Sequence, residues 1–125
     1  MTQVNVRYIV DDVDESIAFY TKVFGFQVDM HPGPSFAALS RGDLGLFLNT
    51  PSGPGGASQP MPDGRRPEPG GWARFQLVVD DLDHAVEDLR RHGAAMRSDV
   101  IEGRAGRQVI VDDPSGNAVE LFEYA

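Results

Sequence analysis

Cysteine is absent from this 125-residue chain, which excludes disulfide bonds, thiolate nucleophiles and zinc–thiolate sites. Long apolar runs are also absent, because no stretch approaches the ~20 residues that a membrane-spanning helix needs. The first ten residues, MTQVNVRYIV, lack the basic region and the apolar segment of a signal peptide. We therefore expect a protein of the cytoplasm with no membrane partner.

Positive charge is scarce. The chain has 11 Lys and Arg residues against 19 Asp and Glu residues, and its formal net charge is −8. A surface of this charge repels nucleic acid unless a local basic patch outweighs it. The nearest candidates for such a patch, Arg65-Arg66 and Arg90-Arg91, are typical of solvated surface arginines. The sequence therefore predicts no nucleic-acid partner.

The chain repeats one pattern. Residues 6–20 read VRYIVDDVDESIAFY, and residues 75–89 read FQLVVDDLDHAVEDL. When Val10 is set against Val79, an offset of 69 residues, Asp-Asp-Val-Asp falls on Asp-Asp-Leu-Asp. In each copy a strand-like segment precedes an Asp-rich turn, whose carboxylates suit the free N–H groups at a helix start. The repeat predicts two copies of one module.

Each copy predicts the element order β-α-β-β-β. The apolar spacing predicts helices over Val13–Phe24 and Leu82–His92. Strand signals follow each helix and end in hairpins that turn at residues 41–43 and 113–117. The weaker second strands are FQVDM and AAMRSDV, and the histidine after FQVDM is expected to begin a loop, HPGPS. This mixture of helices and strands predicts an α+β fold.

Proline and glycine are concentrated between module one, residues 1–50, and module two, residues 73–125. Twelve of the 22 residues in segment 51–72 are Pro or Gly, so the segment is neither a helix nor an interior strand. Two interpretations stay open, a plain linker and a functional lid. Met61 and Trp72 favour the lid, because a spacer does not need large apolar residues.

Two motifs carry a resemblance to a known family. They are DVDESIAFYTKVFGF after the first strand and DDPSGNAVELFE near the end. Together with the doubled module they resemble the vicinal oxygen chelate superfamily, which includes glyoxalase I, bleomycin resistance proteins, extradiol dioxygenases and fosfomycin resistance enzymes. The resemblance implies that both modules form a curled mixed sheet around a cleft, with the helices outside. It also implies a homodimer.

The resemblance implies four metal-ligand positions, on the first and fourth strands of each module. In this sequence those positions hold Asn5, Phe47, Arg74 and Glu120. Only Glu120 is a good ligand, because Asn is a weak donor, Phe donates nothing and a protonated Arg repels a divalent cation. None of the three histidines falls on these positions. We therefore expect no metal cofactor.

Strand alternation divides the side chains into two faces. One face is apolar and should pack under the two helices. The other, which we call the mixed face, combines polar and apolar residues: Asn5, Arg7, Ile9, Phe47, Asn49, Arg74, Gln76, Val78, Glu120 and Phe122. A solvent-facing sheet surface has the same pattern, and that interpretation stays open. If the sheet curls as the resemblance implies, this face lines a pocket for a small molecule.

Arg74 and Glu120 are expected to form an ion pair in which the guanidinium replaces the missing metal ion. A purely structural pair is the alternative. In the functional interpretation, Arg7, Arg74 and Gln76 bind a polar or anionic part of a ligand. Its apolar part then rests on aromatic side chains, namely Phe47, Trp72 and Phe122.

Three functions are consistent with these features. The first is a metal-independent, bleomycin-resistance-like protein that sequesters an aromatic or amphipathic antibiotic or metabolite. The second is a metal-dependent enzyme, a glyoxalase-like lyase or isomerase or a dioxygenase-like oxygenase, in which Glu120 is the ligand or base. The third is a structural or regulatory protein with a degenerate pocket. The missing ligands favour the first.

Overall fold

A computed structural model of the chain describes residues 3–125. The chain divides into two compact units, of which the first ends at Gly70 and the second begins at Gly71. Each contains one helix and one mixed sheet, which confirms the predicted α+β fold. Among the described residues, no helix is both long and apolar enough to cross a bilayer.

The first unit has a four-stranded sheet in the order β1-β4-β3-β2. The edge strand β1 runs parallel to β4, and the other neighbours are antiparallel. Its elements are β1 (Val4–Ile9), α1 (Val13–Phe24), β2 (Gln27–Gly33), β3 (Phe36–Arg41), β4 (Leu44–Asn49) and a 3₁₀ turn (Gly56–Ser58).

The second unit repeats this arrangement with a broken second strand. The edge strand β5 runs parallel to β9, β9 pairs with β8, and β8 pairs with the short strands β6 and β7. Its elements are β5 (Arg74–Val78), α2 (Leu82–Arg91), β6 (Ala95–Met96), β7 (Ile101–Glu102), β8 (Gly106–Asp112) and β9 (Ala118–Tyr124).

The repeated aspartates have a structural role. The Asp12 carboxylate accepts a hydrogen bond from the Glu15 amide at 3.0 Å, and Asp81 accepts one from the His84 amide at the same distance. Both residues are N-caps, which satisfy amides that have no partner inside the helix. Gly25 ends α1 in the left-handed conformation, as its position in the sequence predicts.

The apolar faces form the cores of the two units. Buried residues include Tyr8, Leu46 and Leu48 in the first sheet, and Leu77 and Leu121 in the second. Burial of this kind stabilises a fold by roughly 25 cal/mol per Å² of apolar surface. The prediction fails at the start of β1, where Val4 is 69% exposed. The reason is that α1 packs mainly over β2, β3 and β4, so the first residue of the edge strand lies uncovered.

Two other predictions need correction. His31 does not begin a loop, because β2 extends to Gly33 and includes Pro32. Proline is tolerated there because β2 is an edge strand, and its pairing with β3 is irregular. The segment AAMRSDV is a strand only at Ala95–Met96. The amides of Arg97 and Ser98 both donate to the carbonyl of Ile110, which ends the regular ladder.

The close approach of β8 to β9 depends on Gly106. This residue is buried at φ +156°, and an added Cβ would overlap the backbone carbonyl of Glu123. We expect Gly106→Ala to lower the free energy of unfolding by about 2 kcal/mol or more, measured by urea denaturation. Gly33→Ala is the control, because a Cβ there meets no atom within 4 Å. Equal stability of the two variants would contradict this account.

Candidate functional site

The mixed face of the second unit is organised by the parallel pairing of β5 with β9. Gln76 lies opposite Glu120, and Arg74 lies opposite Ala118. Because alternate residues of a strand share a face, Arg74, Gln76 and Glu120 project to the same side of the sheet. The small side chain of Ala118 leaves room for the Arg74 guanidinium to reach diagonally to Glu120.

Glu120 is the centre of this cluster and is only 7% exposed. Arg74 Nε donates to Glu120 Oε1 at 2.9 Å, and Gln76 Nε2 donates to Glu120 Oε2 at 2.7 Å. The ion pair that the sequence predicts between Arg74 and Glu120 is therefore present. Both carboxylate oxygens have a strong donor, which a buried charge requires.

The residues at the implied ligand positions do not fit a divalent metal ion. In the second unit, the two oxygens of Glu120 are committed to Arg74 and Gln76. In the first unit the corresponding positions hold Asn5 and Phe47, of which only Asn5 has a donor oxygen. Within residues 3–125, no three His, Asp or Glu side chains are grouped closely enough to hold a metal ion together.

The mixed face of the first unit carries a different cluster. Arg7 lies opposite Phe47 across the parallel pairing of β1 with β4. Its Nη1 donates to Asn49 Oδ1 at 3.0 Å, and its guanidinium carbon lies 5.4 Å from the centre of the Phe47 ring. Phe47 in turn contacts Phe36 edge to face, with ring centres 5.6 Å apart. Asn5 lies exposed near the start of β1.

Trp72 is held in place by Arg97, which is not among the site residues predicted from the sequence. The indole is 70% exposed, and the guanidinium carbon of Arg97 lies 4.8 Å from its ring centre. Arg97 is itself fixed by Asp112 Oδ1 at 2.7 Å and by the carbonyls of Gly71 and Gly116 at 2.8 and 2.9 Å. The Trp72 carbonyl also accepts from Arg74 Nη1 at 3.2 Å.

No sequence signal singles out Arg97. It lies just past the short strand β6, where alternation stops being informative. Phe122, predicted as an aromatic wall, is buried and contacts Tyr124 with ring centres 5.0 Å apart. The exposed aromatic residue at that end of β9 is Tyr124.

Segment 51–70 carries none of the predicted site residues. It is held by local hydrogen bonds, such as that from Ser58 Oγ to the Thr50 carbonyl at 2.6 Å. Residues 61 and 65–68 line an open hollow of about 510 Å³. Arg65 at its border is paired with Asp63 at 2.7 Å. The linker and lid interpretations both remain predictions.

Known proteins resemble the chain over most of its length. A family model described as the Glyoxalase/Bleomycin resistance protein/Dioxygenase superfamily matches residues 2–121. A putative glyoxylase of Mycobacterium bovis is 34% identical over 119 residues, which are 88% of this chain and 41% of that protein. The chain therefore spans less than half the length of that relative.

Solved structures share the fold. The lactoylglutathione lyase of Agrobacterium tumefaciens superposes with a TM-score of 0.75 at 25% identity, covering 96% of this chain and 91% of that one. TnmS3, an antibiotic binding protein from Streptomyces sp. CB03234, superposes with a TM-score of 0.74 at 23% identity, covering 100% and 98%. With the family model spanning nearly every residue, the chain belongs to the Glyoxalase/Bleomycin resistance protein/Dioxygenase superfamily.

Proposed function

We propose that this protein is a metal-independent small-molecule-binding member of its superfamily. It sequesters an aromatic or amphipathic ligand, an antibiotic or a metabolite, against the mixed faces of its sheets. The observation that carries the proposal is the state of Glu120, whose two oxygens are both engaged by neighbouring side chains.

An engaged carboxylate is poorly suited to metal chemistry. A divalent ion bound to Glu120 would lie close to Arg74, which donates a charge-assisted hydrogen bond to the same carboxylate and whose positive charge repels the ion. A general base needs an oxygen within hydrogen-bond reach of the proton that it abstracts. Both oxygens of Glu120 already accept hydrogen bonds, so the cluster is better suited to positioning a ligand than to reacting with it.

The exposed ring of Trp72 supports an aromatic ligand. One face of the indole rests on Arg97, which is fixed by three hydrogen bonds. An aromatic ring held in this way loses little freedom when a flat molecule stacks on its other face, so less of the binding energy is lost to ordering. Gln76 on the adjacent edge strand adds an amide group for a polar substituent.

The relatives support both this function and its alternative. An antibiotic binding protein and a lactoylglutathione lyase share the fold at similar TM-scores, 0.74 and 0.75. An enzyme of the glyoxalase or dioxygenase kind that uses Glu120 is therefore the competing proposal. Membership of the superfamily is also the basis for proposing that the protein acts as a homodimer, and the net charge of −8 is the basis for proposing no nucleic-acid partner.

Metal content and ligand binding separate the two functions. We expect protein purified without a chelator to contain far less than one equivalent of Zn, Ni, Fe or Mn, measured by mass spectrometry. Its melting temperature should be insensitive to EDTA and should rise with a member of a panel of aromatic antibiotics and metabolites. Ligand at a hundredfold excess over Kd adds about 2.7 kcal/mol of stability. Stoichiometric metal would favour the enzyme, and no response to any ligand would contradict a binding function.

Removal of Arg74 should expose the cost of burying Glu120. We expect Arg74→Ala to lower the free energy of unfolding by about 2 kcal/mol, because the carboxylate loses its charged partner while staying buried. The double change of Arg74→Met with Glu120→Met should restore stability to within about 1 kcal/mol, since both charges leave together. Urea denaturation measures both. An unaffected Arg74→Ala variant would show that the pair contributes nothing.

The contact of Arg97 with Trp72 can be tested by fluorescence, because Trp72 is the only tryptophan. We expect Arg97→Gln to lower the fluorescence anisotropy of Trp72 and to weaken binding of an aromatic ligand by roughly threefold to tenfold. Arg107→Gln is the matched control, since Arg107 pairs with Asp83 and Glu123 away from Trp72. Unchanged anisotropy in Arg97→Gln would rule out Arg97 as the residue that orients the ring.

A further inference from the structure

The arginines on the mixed faces and beside Trp72 differ in how their charge is balanced. Arg74 is paired with Glu120 at 2.9 Å, and Arg97 beside Trp72 is paired with Asp112 at 2.7 Å. Arg7 has two neutral partners instead, the side-chain oxygen of Asn49 and the ring of Phe47. In the part of the chain that the structure describes, no carboxylate forms an ion pair with Arg7. Its positive charge therefore has no ion-pair partner among the described residues.

The neutral partners nevertheless fix the direction of the Arg7 guanidinium. Asn49 is only 3% exposed, and its backbone carbonyl accepts a hydrogen bond from the Val10 amide at 2.9 Å. The residue that binds Arg7 is therefore itself fixed in position. The hydrogen bond to Asn49 uses Nη1, and the Phe47 ring lies against the guanidinium. The Nε and Nη2 donors have no partner within residues 3–125, and this edge of a guanidinium matches a carboxylate in bidentate geometry.

Arg7 also lies beside aromatic surface. Phe47 packs edge to face against Phe36, and both belong to the central strands of the same sheet. The chain as a whole carries a net charge of −8, which repels anions at long range. An anion that binds here therefore depends on this one local cation together with apolar contact, and both conditions are met by an aromatic acid.

We propose that Arg7 is the anion anchor of the first unit, and that the ligand class is an aromatic acid whose carboxylate binds Arg7 Nε and Nη2. The aromatic part of the ligand lies beside Phe36 and Phe47 on the same face. This inference rests on the proposed binding function and narrows its ligand class. It assigns recognition of the charge to Arg7 and not to Arg74, whose charge is already balanced.

The test uses three probes that share the naphthalene ring and carry a negative, a neutral or a positive group: 2-naphthoate, 2-naphthamide and 2-naphthylmethylammonium. Calorimetric titration of the full chain should show naphthoate binding at least roughly tenfold more tightly than naphthamide. Naphthoate should also shift the backbone amide resonances of residues 5–9 and 45–49. Arg7→Gln should remove the preference for naphthoate, and Arg7→Lys should keep part of it, because lysine keeps the charge without the bidentate geometry.

Arg41→Gln is the matched control. It removes one positive charge from the same sheet, but strand alternation places Arg41 on the opposite face from Phe36 and Ala38. The Arg41→Gln variant should prefer naphthoate as strongly as the unmodified chain does. Melting temperatures confirm that each variant is folded.

The outcomes separate this inference from the function on which it rests. If all three probes bind equally well, binding of aromatic molecules stands and the anion anchor is overturned. A preference for naphthoate that survives Arg7→Gln, or that Arg41→Gln also removes, overturns it as well. If none of the probes binds, the anchor fails together with aromatic binding at this face.

Discussion

The parallel pairing of the first and last strands in each unit determines which side chains meet on the mixed face. Both units use the same register, so that Arg7 faces Phe47 in one and Gln76 faces Glu120 in the other. Because a shift of one residue would turn every side chain to the opposite face, the buried apolar faces fix this register strongly. The polar side chains of the mixed face are therefore positioned by the packing of the opposite, apolar face.

The same geometry gives two different results, because β9 has Glu120 where β4 has Phe47, and Phe122 where β4 has Asn49. Glu120 is charged and buried, and a buried charge needs strong partners, which Arg74 and Gln76 supply. Phe47 at the equivalent position needs none, so Arg7 keeps most of its donors free for solvent or a ligand. A buried ion pair such as Arg74–Glu120 is weak evidence for stability, because apolar residues of similar size often stabilise a fold equally well. Its better attested value is in holding its members in one geometry.

The sequence predicted the features that depend on residue spacing and on the repeat, and it missed a contact that depends on where a strand ladder breaks. Helix starts at Asp12 and Asp81 depend on neighbouring residues, and the repeat offset depends on register, so both could be found from spacing. The ion pair of Arg74 with Glu120 followed from the same alignment. The contact of Arg97 with Trp72 could not be found in this way. It arises where β6 leaves its ladder, and that break depends on two amides that share one carbonyl of β8.

Charge and shape are divided among different residues on these faces. Arg74 and Arg97 are already neutralised, so they contribute fixed geometry, the one to Glu120 and the other to Trp72. Only Arg7, of these three, offers a net positive charge to an incoming group. A neutralised arginine has little long-range attraction to offer, whereas an uncompensated one attracts an anion over a distance of about 8 Å at physiological ionic strength. Under the proposed binding function, selectivity for ligand charge belongs to the first unit, while the rigid aromatic surface of Trp72 belongs to the second.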